Sequence, residues 1–293
     1  MSVTIGVPGL IRIGFVKRAV VIAALLCPTI SWADLVPDQQ RFVAELAAES
    51  GLPAADIEAI LAQARTQQSI LDAIARPAEA KPWRDYRPIF LNDTRVQGGL
   101  TFMREHDELL TRIERDTGVP ASVVAAIIGV ETSYGKITGN YRVLDALATL
   151  GFHYPPRADF FRSELKHLFY LVNEEKLDID QIKCSYAGAM GWGQFIPSSY
   201  RNFAVDGDGD GRRDLWNSTA DIVASVANYF VEHGWAADGL VALPARAEPD
   251  AKPFERQGLE LTSTLGELRS LGYRVEHEGD DGASATLLKL DGA

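Results

Sequence analysis

Apolar side chains recur at the spacing of amphipathic helices along most of the chain up to residue 235. Segment 38–76 predicts two or three short helices, and segment 94–117 predicts one long helix. The prolines of segment 81–91 favour extended backbone there, because proline lacks an N–H and restricts the residue before it. Further helices are predicted in the segment that leads to Glu131 and over 143–150, 158–174 and 218–232.

The pattern changes after residue 235. Segments 258–261, 273–276 and 284–290 alternate apolar and polar residues, which predicts short strands. We therefore expect a mainly α (α+β) fold. The expected parts are an N-terminal helical domain 34–110, a helical core 111–235 and a small β-containing unit 236–293.

The first 33 residues predict a secretory signal peptide. Three basic residues precede the apolar segment 19–30, which is too short to span a membrane comfortably, and Ala33 ends a small-residue cleavage site. Lipidation at Cys27 is the alternative, but the bulky Leu26 disfavours it. The sequence therefore predicts a periplasmic protein without a transmembrane anchor after cleavage.

Charge and cysteine content narrow the possible functions. The chain has 29 basic and 40 acidic residues, and cleavage would remove only basic ones. Such an acidic protein lacks the excess of positive charge that binds nucleic acid or anionic membranes. Loss of Cys27 would leave Cys184 as the one cysteine, so no disulfide can form within the mature chain.

Glu131 is the first candidate for chemistry. It follows the apolar run 121–128 and precedes the turn Ser133-Tyr134-Gly135. If the helix is buried, its low dielectric disfavours the charged carboxylate and raises the pKa of Glu131, which suits a proton donor. The alternative is a glutamate that ends a helix and points into water.

A glycine-rich motif follows over 185–200. Its glycines and alanines allow close backbone approach, while Ser185, Gln194 and the aromatic residues offer hydrogen bonds and stacking faces. These features suit a polysaccharide groove, in which Trp192, between two glycines, would stack on a sugar. The alternative is a tight helix–helix crossing.

A third motif resembles a calcium loop. Asp206, Asp208 and Asp210 alternate and Gly211 follows, as in the first half of an EF-hand loop, whereas the usual glutamate at position twelve is Asn217. The alternative is a flexible Asp/Gly turn. We expect a structural calcium ion.

Together these motifs resemble the lytic murein transglycosylase B family. Glu131 stands in Gly-Val-Glu-Thr, and segment 187–200 reads Ala-Gly-Ala-Met-Gly-Trp-Gly-Gln-Phe-Ile-Pro-Ser-Ser-Tyr. The resemblance covers nearly all of the chain after the predicted signal peptide. Further matches occur at Lys81-Pro82-Trp83, Tyr86-Arg87, Phe90-Leu91, 144–150, 225–230 and His233-Gly234-Trp235.

The resemblance implies a goose-type lysozyme-like core and cleavage of the β-1,4 bond between N-acetylmuramic acid (MurNAc) and N-acetylglucosamine (GlcNAc) in peptidoglycan. Glu131 matches the family's single catalytic acid/base. The implied partner is the peptidoglycan glycan strand. The implied groove residues are Ser185, Gln194 and Tyr229.

Two further features follow from the resemblance. In the family a carboxylate of the next helix closes the calcium loop, which makes Asp221 the first candidate and Asp214 the second, with Arg212 contributing a backbone carbonyl. Family members also continue beyond the position of Ala293 with a segment that returns to the core. We therefore expect that C-terminal core segment, and part of one wall of the cleft, to be missing.

A site with one glutamate needs a particular mechanism, because ordinary glycosidases use two carboxylates. The substrate's N-acetyl group would stabilise the positive centre, and Glu131 would act first as acid and then as base. The product is a 1,6-anhydro ring formed without water, and no organic cofactor is needed. A hydrolytic muramidase and an inactive peptidoglycan-binding scaffold are the alternatives, and the oligomeric state stays open.

Overall fold

The structure, a computed structural model, describes residues 36–76, 81–237, 239–255, 260–276 and 280–290. The expected signal peptide 1–33, with Cys27, lies outside the described residues. Within the described part, no helix is both long and apolar enough to cross a membrane.

The fold is mainly helical with short strands, which confirms the predicted class. The three strand pairs among the described residues are antiparallel: β1 with β2, β3 with β5, and β4 with β6. The helices are α1 Val36–Ser50, α2 Ala54–Leu61, α3 Gln68–Ile74, α4 Trp83–Phe90, α5 Asp93–Glu105, α6 Asp107–Thr117, α7 Ala121–Thr132, α8 Val143–His153, α9 Ala158–Glu175, α10 Pro197–Phe203, α11 Thr219–Glu232 and α12 Leu265–Ser270, with a 3-10 turn at Pro155–Arg157. The strands are β1 Tyr141–Arg142, β2 Lys183–Cys184, β3 Ala245–Ala247, β4 Ser263–Thr264, β5 Tyr273–Val275 and β6 Ser284–Ala285.

Helix α8 forms the centre of the core. Every residue from 143 to 152 is buried, and apart from Asp145 and Thr149 the helix has no polar side chain in this range. It packs mainly against α9, and α3 and β1 contact it as well. The buried Asp145 pairs with Arg142 at 2.6 Å and accepts the backbone N–H of Arg65 at 2.9 Å. These bonds join the N-terminal helices to the core.

Residues 83–90 of segment 81–91 form helix α4, so the extended backbone predicted there is wrong. Pro82 precedes the first helical residue, where no helical N–H is required, and Pro88 lies inside the short helix α4. The aromatic residues Trp83, Tyr86 and Phe90 have helical spacing, and the Tyr86 and Phe90 ring centroids lie 5.0 Å apart. Their packing outweighs the hydrogen bond that Pro88 cannot donate.

The single long helix predicted over 94–117 is two helices. His106, with φ −122° and ψ 25°, leaves the helical region between α5 and α6. Asp107 and Glu108 then begin the new helix, where acidic side chains interact favourably with the N-terminal partial positive charge.

The C-terminal unit contains shorter strands than the pattern predicts. Strand β5 confirms the predicted segment 273–276, whereas segment 284–290 forms only the two residues of β6. Residues 256–259 lie outside the description, and β4 begins after the predicted segment 258–261. Helix α12 was missed, although its capping box of Thr264 and Glu267 is legible in the sequence.

Candidate active site

The helix that carries Glu131 ends in an unusual turn. Ser133 and Tyr134 both have left-handed backbone, with φ of 53° and 61°. Such conformations are uncommon for residues other than glycine, and they cluster at functional sites. Here they follow Thr132, the last residue of α7, and the Tyr134 N–H bonds the Ile128 carbonyl at 3.3 Å.

The burial expected for Glu131 is wrong. The buried face of α7 is formed by Val124, Ala125, Ile128, Gly129 and Thr132, and Glu131 lies at the edge of that face, where it is exposed. A helix can therefore be strongly apolar while one side of its last turn opens to a groove. Glu131 fits the alternative of an exposed helix end, but it faces a cavity rather than a flat surface.

Thr132 ties this helix to the glycine-rich motif. Its fully buried hydroxyl donates to the Trp192 carbonyl at 2.9 Å and accepts the Gly135 N–H at 3.0 Å. The Trp192 ring packs so closely on Gly135 that a Cβ at residue 135 would overlap it. The helix end and the glycine-rich motif are therefore one packed unit.

A cavity of about 340 Å³ opens beside Glu131. Among the described residues that line it, Glu131 is the one carboxylate. Gln194 and Tyr229, both predicted groove residues, line the same cavity. The remaining lining residues are Ile127, Gly193, Phe195, Ile196, Ser199, Val226 and Phe230.

Gln194 and Tyr229 are held by different contacts. The Gln194 amide nitrogen donates to the carbonyls of Gly191 at 3.0 Å and Thr138 at 3.3 Å, and its backbone is left-handed with φ 50°. The Tyr229 ring, 39% exposed, stacks on His233 with centroids 4.0 Å apart. Both residues are therefore fixed at the cavity before any ligand binds.

Ser185 and Trp192 lie outside the lining of this cavity. The Ser185 hydroxyl accepts the N–H groups of Ala187 and Ala189 at 3.3 and 3.2 Å, which closes the glycine-rich loop. Trp192 packs against the Gly135 turn. Their assignment as substrate-binding residues stays a prediction, and the contacts seen here are structural.

Several lining residues were missed by sequence reasoning. Ile127 precedes Glu131 by four positions and Val226 precedes Tyr229 by three, so each shares a helix face with a predicted residue. That spacing could have identified them. Phe195 and Ile196 follow Gln194 and Phe230 follows Tyr229, whereas Ser199 carries no such signal.

Helix α5 supports the Glu131 helix from outside. The Tyr134 ring fills a notch where Gly98, Gly99 and Gly129 leave space, since a Cβ at any of them would crowd the ring. The Tyr134 hydroxyl donates to the Arg95 carbonyl at 3.2 Å. Burial raises the pKa of Tyr134, so this hydroxyl keeps its proton.

The predicted calcium loop brings three carboxylates together. Ligand oxygens of Asp206, Asp208 and Asp210 lie within 4.8 Å of one another. The N–H of Gly211 bonds Asp206 at 2.8 Å, and this bond, with further backbone N–H bonds, lowers the pKa of the Asp206 carboxyl. Oxygen donors at this spacing suit a hard divalent cation such as Ca²⁺.

Asp221 braces the same loop from α11. It is 1% exposed, and its two carboxylate oxygens accept the N–H groups of Gly207 and Asp214, each at 2.7 Å. The Arg212 N–H bonds Asp210 at 2.8 Å. Asp214 itself accepts bonds from the segment after it. These contacts fold the loop, and ligation by Arg212, Asp214 or Asp221 stays a prediction.

The loop also contacts the Glu131 region. The Trp192 N–H donates to the Leu215 carbonyl at 3.0 Å, and Gly191 packs on Leu215. A larger cavity of about 700 Å³ lies between the loop and the end of α9, and charged side chains such as Glu175 and Arg213 line it. It does not include Glu131, so size alone does not identify the reacting site.

The chain is similar to known proteins over most of its length. The transglycosylase SLT domain family model matches residues 36–293. Membrane-bound lytic murein transglycosylase B of Escherichia coli K12 is 37% identical over 265 residues, which are 87% of this chain and 72% of that protein.

Two solved structures have a similar fold. The catenated lytic transglycosylase SltB1 from Pseudomonas aeruginosa has a TM-score of 0.81 and 45% identity, covering 85% of this chain and 82% of that one. The Escherichia coli lytic transglycosylase Slt35 in complex with calcium has a TM-score of 0.75 and 35% identity, covering 84% of this chain and 78% of that one.

Proposed function

The chain belongs to the transglycosylase SLT domain family and is a lytic transglycosylase with a lysozyme-like helical fold, and we propose that Glu131 is its single catalytic acid/base. The bond cleaved is the β-1,4 bond between MurNAc and GlcNAc of peptidoglycan. The observation that carries this proposal is the cavity beside Glu131, whose described lining contains no second carboxylate.

In the first step Glu131 donates a proton to the glycosidic oxygen. The bond between that oxygen and C1 of MurNAc breaks, and GlcNAc leaves with a hydroxyl at C4. The substrate's own N-acetyl oxygen bonds to C1 and takes the place of a carboxylate nucleophile. Glu131 is then a carboxylate.

In the second step the same carboxylate acts as base. It accepts the proton of the MurNAc C6 hydroxyl while that oxygen bonds to C1 and displaces the N-acetyl oxygen. The result is a 1,6-anhydro ring, and Glu131 is protonated again, now by the proton from the C6 hydroxyl. Neither step consumes water.

The described cavity suits a sugar chain. Ile127 and Phe230, which are partly exposed, offer apolar surface for sugar faces, while Gln194 and Tyr229 offer polar atoms. The Gln194 amide is already oriented by two backbone carbonyls. We assign orientation of the glycan to Gln194 and Tyr229.

We assign the Asp206–Asp210 cluster to a structural Ca²⁺ ion, with Arg212 and Asp221 completing the site. The donor set fits this ion, because three carboxylates at alternate positions converge. Calcium would fix the loop that leads to Leu215. The Leu215 carbonyl accepts the Trp192 N–H, and Trp192 packs against the turn after Glu131. The ion would therefore stabilise the groove without taking part in the reaction.

The cellular setting proposed is the periplasm, on the basis of the signal-peptide pattern in residues 1–33. The proposed partner is the glycan strand of peptidoglycan, as the name of the Escherichia coli relative indicates for that protein.

A hydrolytic muramidase is the second candidate, because Glu131 is exposed and water can reach it. Mass analysis of the soluble fragments released from purified sacculi separates the two reactions, since an anhydro end is lighter than a hydrolysed end by one water. We expect anhydro ends. Reducing ends alone would establish hydrolysis, and sacculus binding without release would establish a scaffold.

A further inference from the structure

We propose that Arg95 is a positioning residue for Glu131, acting from helix α5 on the last turn of α7. This inference rests on the proposed role of Glu131. The Arg95 guanidinium donates to the backbone carbonyls of Gly129 at 2.5 Å and Val130 at 2.8 Å, the two residues before Glu131. No sequence motif links Arg95 to that turn.

The contact supplies hydrogen-bond donors to carbonyls at the C-terminal end of α7. The last carbonyls of a helix lack partners within the helix and carry a partial negative charge. In α7 the backbone N–H groups of the following turn bond the carbonyls of Ile128, Gly129 and Thr132. Arg95 adds bonds to Gly129 and Val130, and it places a positive charge at the negative end of the helix.

Arg95 is itself held on two sides. Its guanidinium lies 5.2 Å from the centroid of the Phe90 ring. Its backbone carbonyl accepts a hydrogen bond from the Tyr134 hydroxyl. Arg95 therefore contacts the backbone just before Glu131 and the side chain three positions after it. Glu131 therefore lies between two points that are fixed to one arginine.

This geometry has a consequence for rate. Glu131 has to reach the glycosidic oxygen in the first step and the C6 hydroxyl in the second, so a small shift of its backbone misaligns both. A misplacement of about 1 Å costs roughly 100-fold in rate. Loss of Arg95 should therefore lower kcat, whereas glycan binding depends on other residues of the cavity and KM should stay unchanged.

The experiment compares Arg95→Gln, Arg95→Lys and the matched control Arg104→Gln in turnover of purified glycan strands. Arg104 lies on the same helix, and its side chain bonds only residues of α5 among the bonds described, Leu100 and Thr101. We expect Arg95→Gln to lower kcat by about 10-fold to 100-fold with KM within about twofold of wild type. Arg95→Lys should recover part of the loss, and Arg104→Gln should match wild type.

Glycan binding in the Glu131→Gln background separates positioning from general damage. Adding Arg95→Gln to that inactive variant should leave co-sedimentation with sacculi unchanged. Reduced co-sedimentation, or a kcat of Arg95→Gln within about twofold of wild type, would overturn the inference. If Arg95→Gln does not fold, Arg95→Lys decides: a folded Lys variant with lowered kcat supports the inference, and one with wild-type kcat overturns it. A wild-type protein without turnover would instead refute the proposed function.

Discussion

The carboxylates of this chain occupy two contrasting settings. Glu131 ends an apolar helix beside a cavity whose other described lining residues carry no carboxylate. Asp206, Asp208 and Asp210 share one loop, and backbone N–H groups bond each of them. A single carboxylate is enough where one group both gives and takes the proton. Carboxylates that hold an ion need to be close together.

The contrast predicts opposite consequences of mutation. At the Glu131 site a small chemical change should remove activity and spare stability. At the loop a small change should lower stability and affect activity only through the packing that joins Leu215 to Trp192.

The largest expected effect is that of Glu131→Gln on turnover. The amide cannot exchange the proton, and general acid–base catalysis contributes about 100-fold to 10,000-fold in rate. We expect kcat to fall by that factor while the melting temperature stays at the wild-type value. Release of soluble muropeptides and a thermal melt measure the two quantities. Glu58→Gln, at an exposed position, is the control. Turnover by Glu131→Gln equal to that of wild type would show that Glu131 is not the catalytic acid/base.

Next in size is the effect of Asp221→Ala on stability. The substitution removes the acceptor of two N–H groups at a buried site, which should cost about 3 kcal/mol in the free energy of unfolding. Denaturant unfolding measures it, with the exposed Asp250→Ala as control. An unfolding free energy equal to that of wild type would show that Asp221 does not brace the loop.

Calcium should have a comparable effect through the same loop. An ion that binds only the folded protein stabilises it by about 2.7 kcal/mol at a concentration 100 times the dissociation constant. We expect a higher melting temperature in calcium than in chelator, and no such difference in Asp208→Ala. Identical melts of the wild-type protein in calcium and in chelator would contradict the assignment.

The smallest expected effect concerns pH. Burial lowers the pKa of His153, so the folded protein binds fewer protons there than the unfolded chain. That histidine contributes stability above its unfolded pKa of about 6.5, and the contribution is lost as pH falls through the lower folded value. The melting temperature should therefore fall less between about pH 8 and pH 5 in His153→Gln than in wild type. An equal fall in both proteins would contradict this.

Much of the fold could be predicted because helices are encoded locally. Residues 143–150 form a helix that is apolar apart from Asp145 and Thr149, and α11 begins where the Ser218 side chain caps it. The pattern failed where local signals conflict. At Pro82 and Pro88 aromatic packing formed a helix despite the prolines, and at His106 one helical pattern continued across a break.

The candidate site was predictable in part for the same reason. Glu131 and Gln194 lie in motifs that can be read from the sequence, and the structure brings them to one cavity. The exposure of Glu131 was not predictable, because a run of apolar residues does not reveal which side of a helix faces a cavity. The role of Arg95 could not be predicted from the sequence. It contacts Gly129, which lies 34 positions away, and no motif joins the two residues.

The central claim is that Glu131 serves both proton transfers and that water takes no part. Digestion of purified sacculi in isotopically labelled water, followed by mass analysis of the new MurNAc ends, tests it most directly. We expect anhydro ends that carry no labelled oxygen. MurNAc ends that contain one labelled oxygen would show that water attacks C1 and would contradict it.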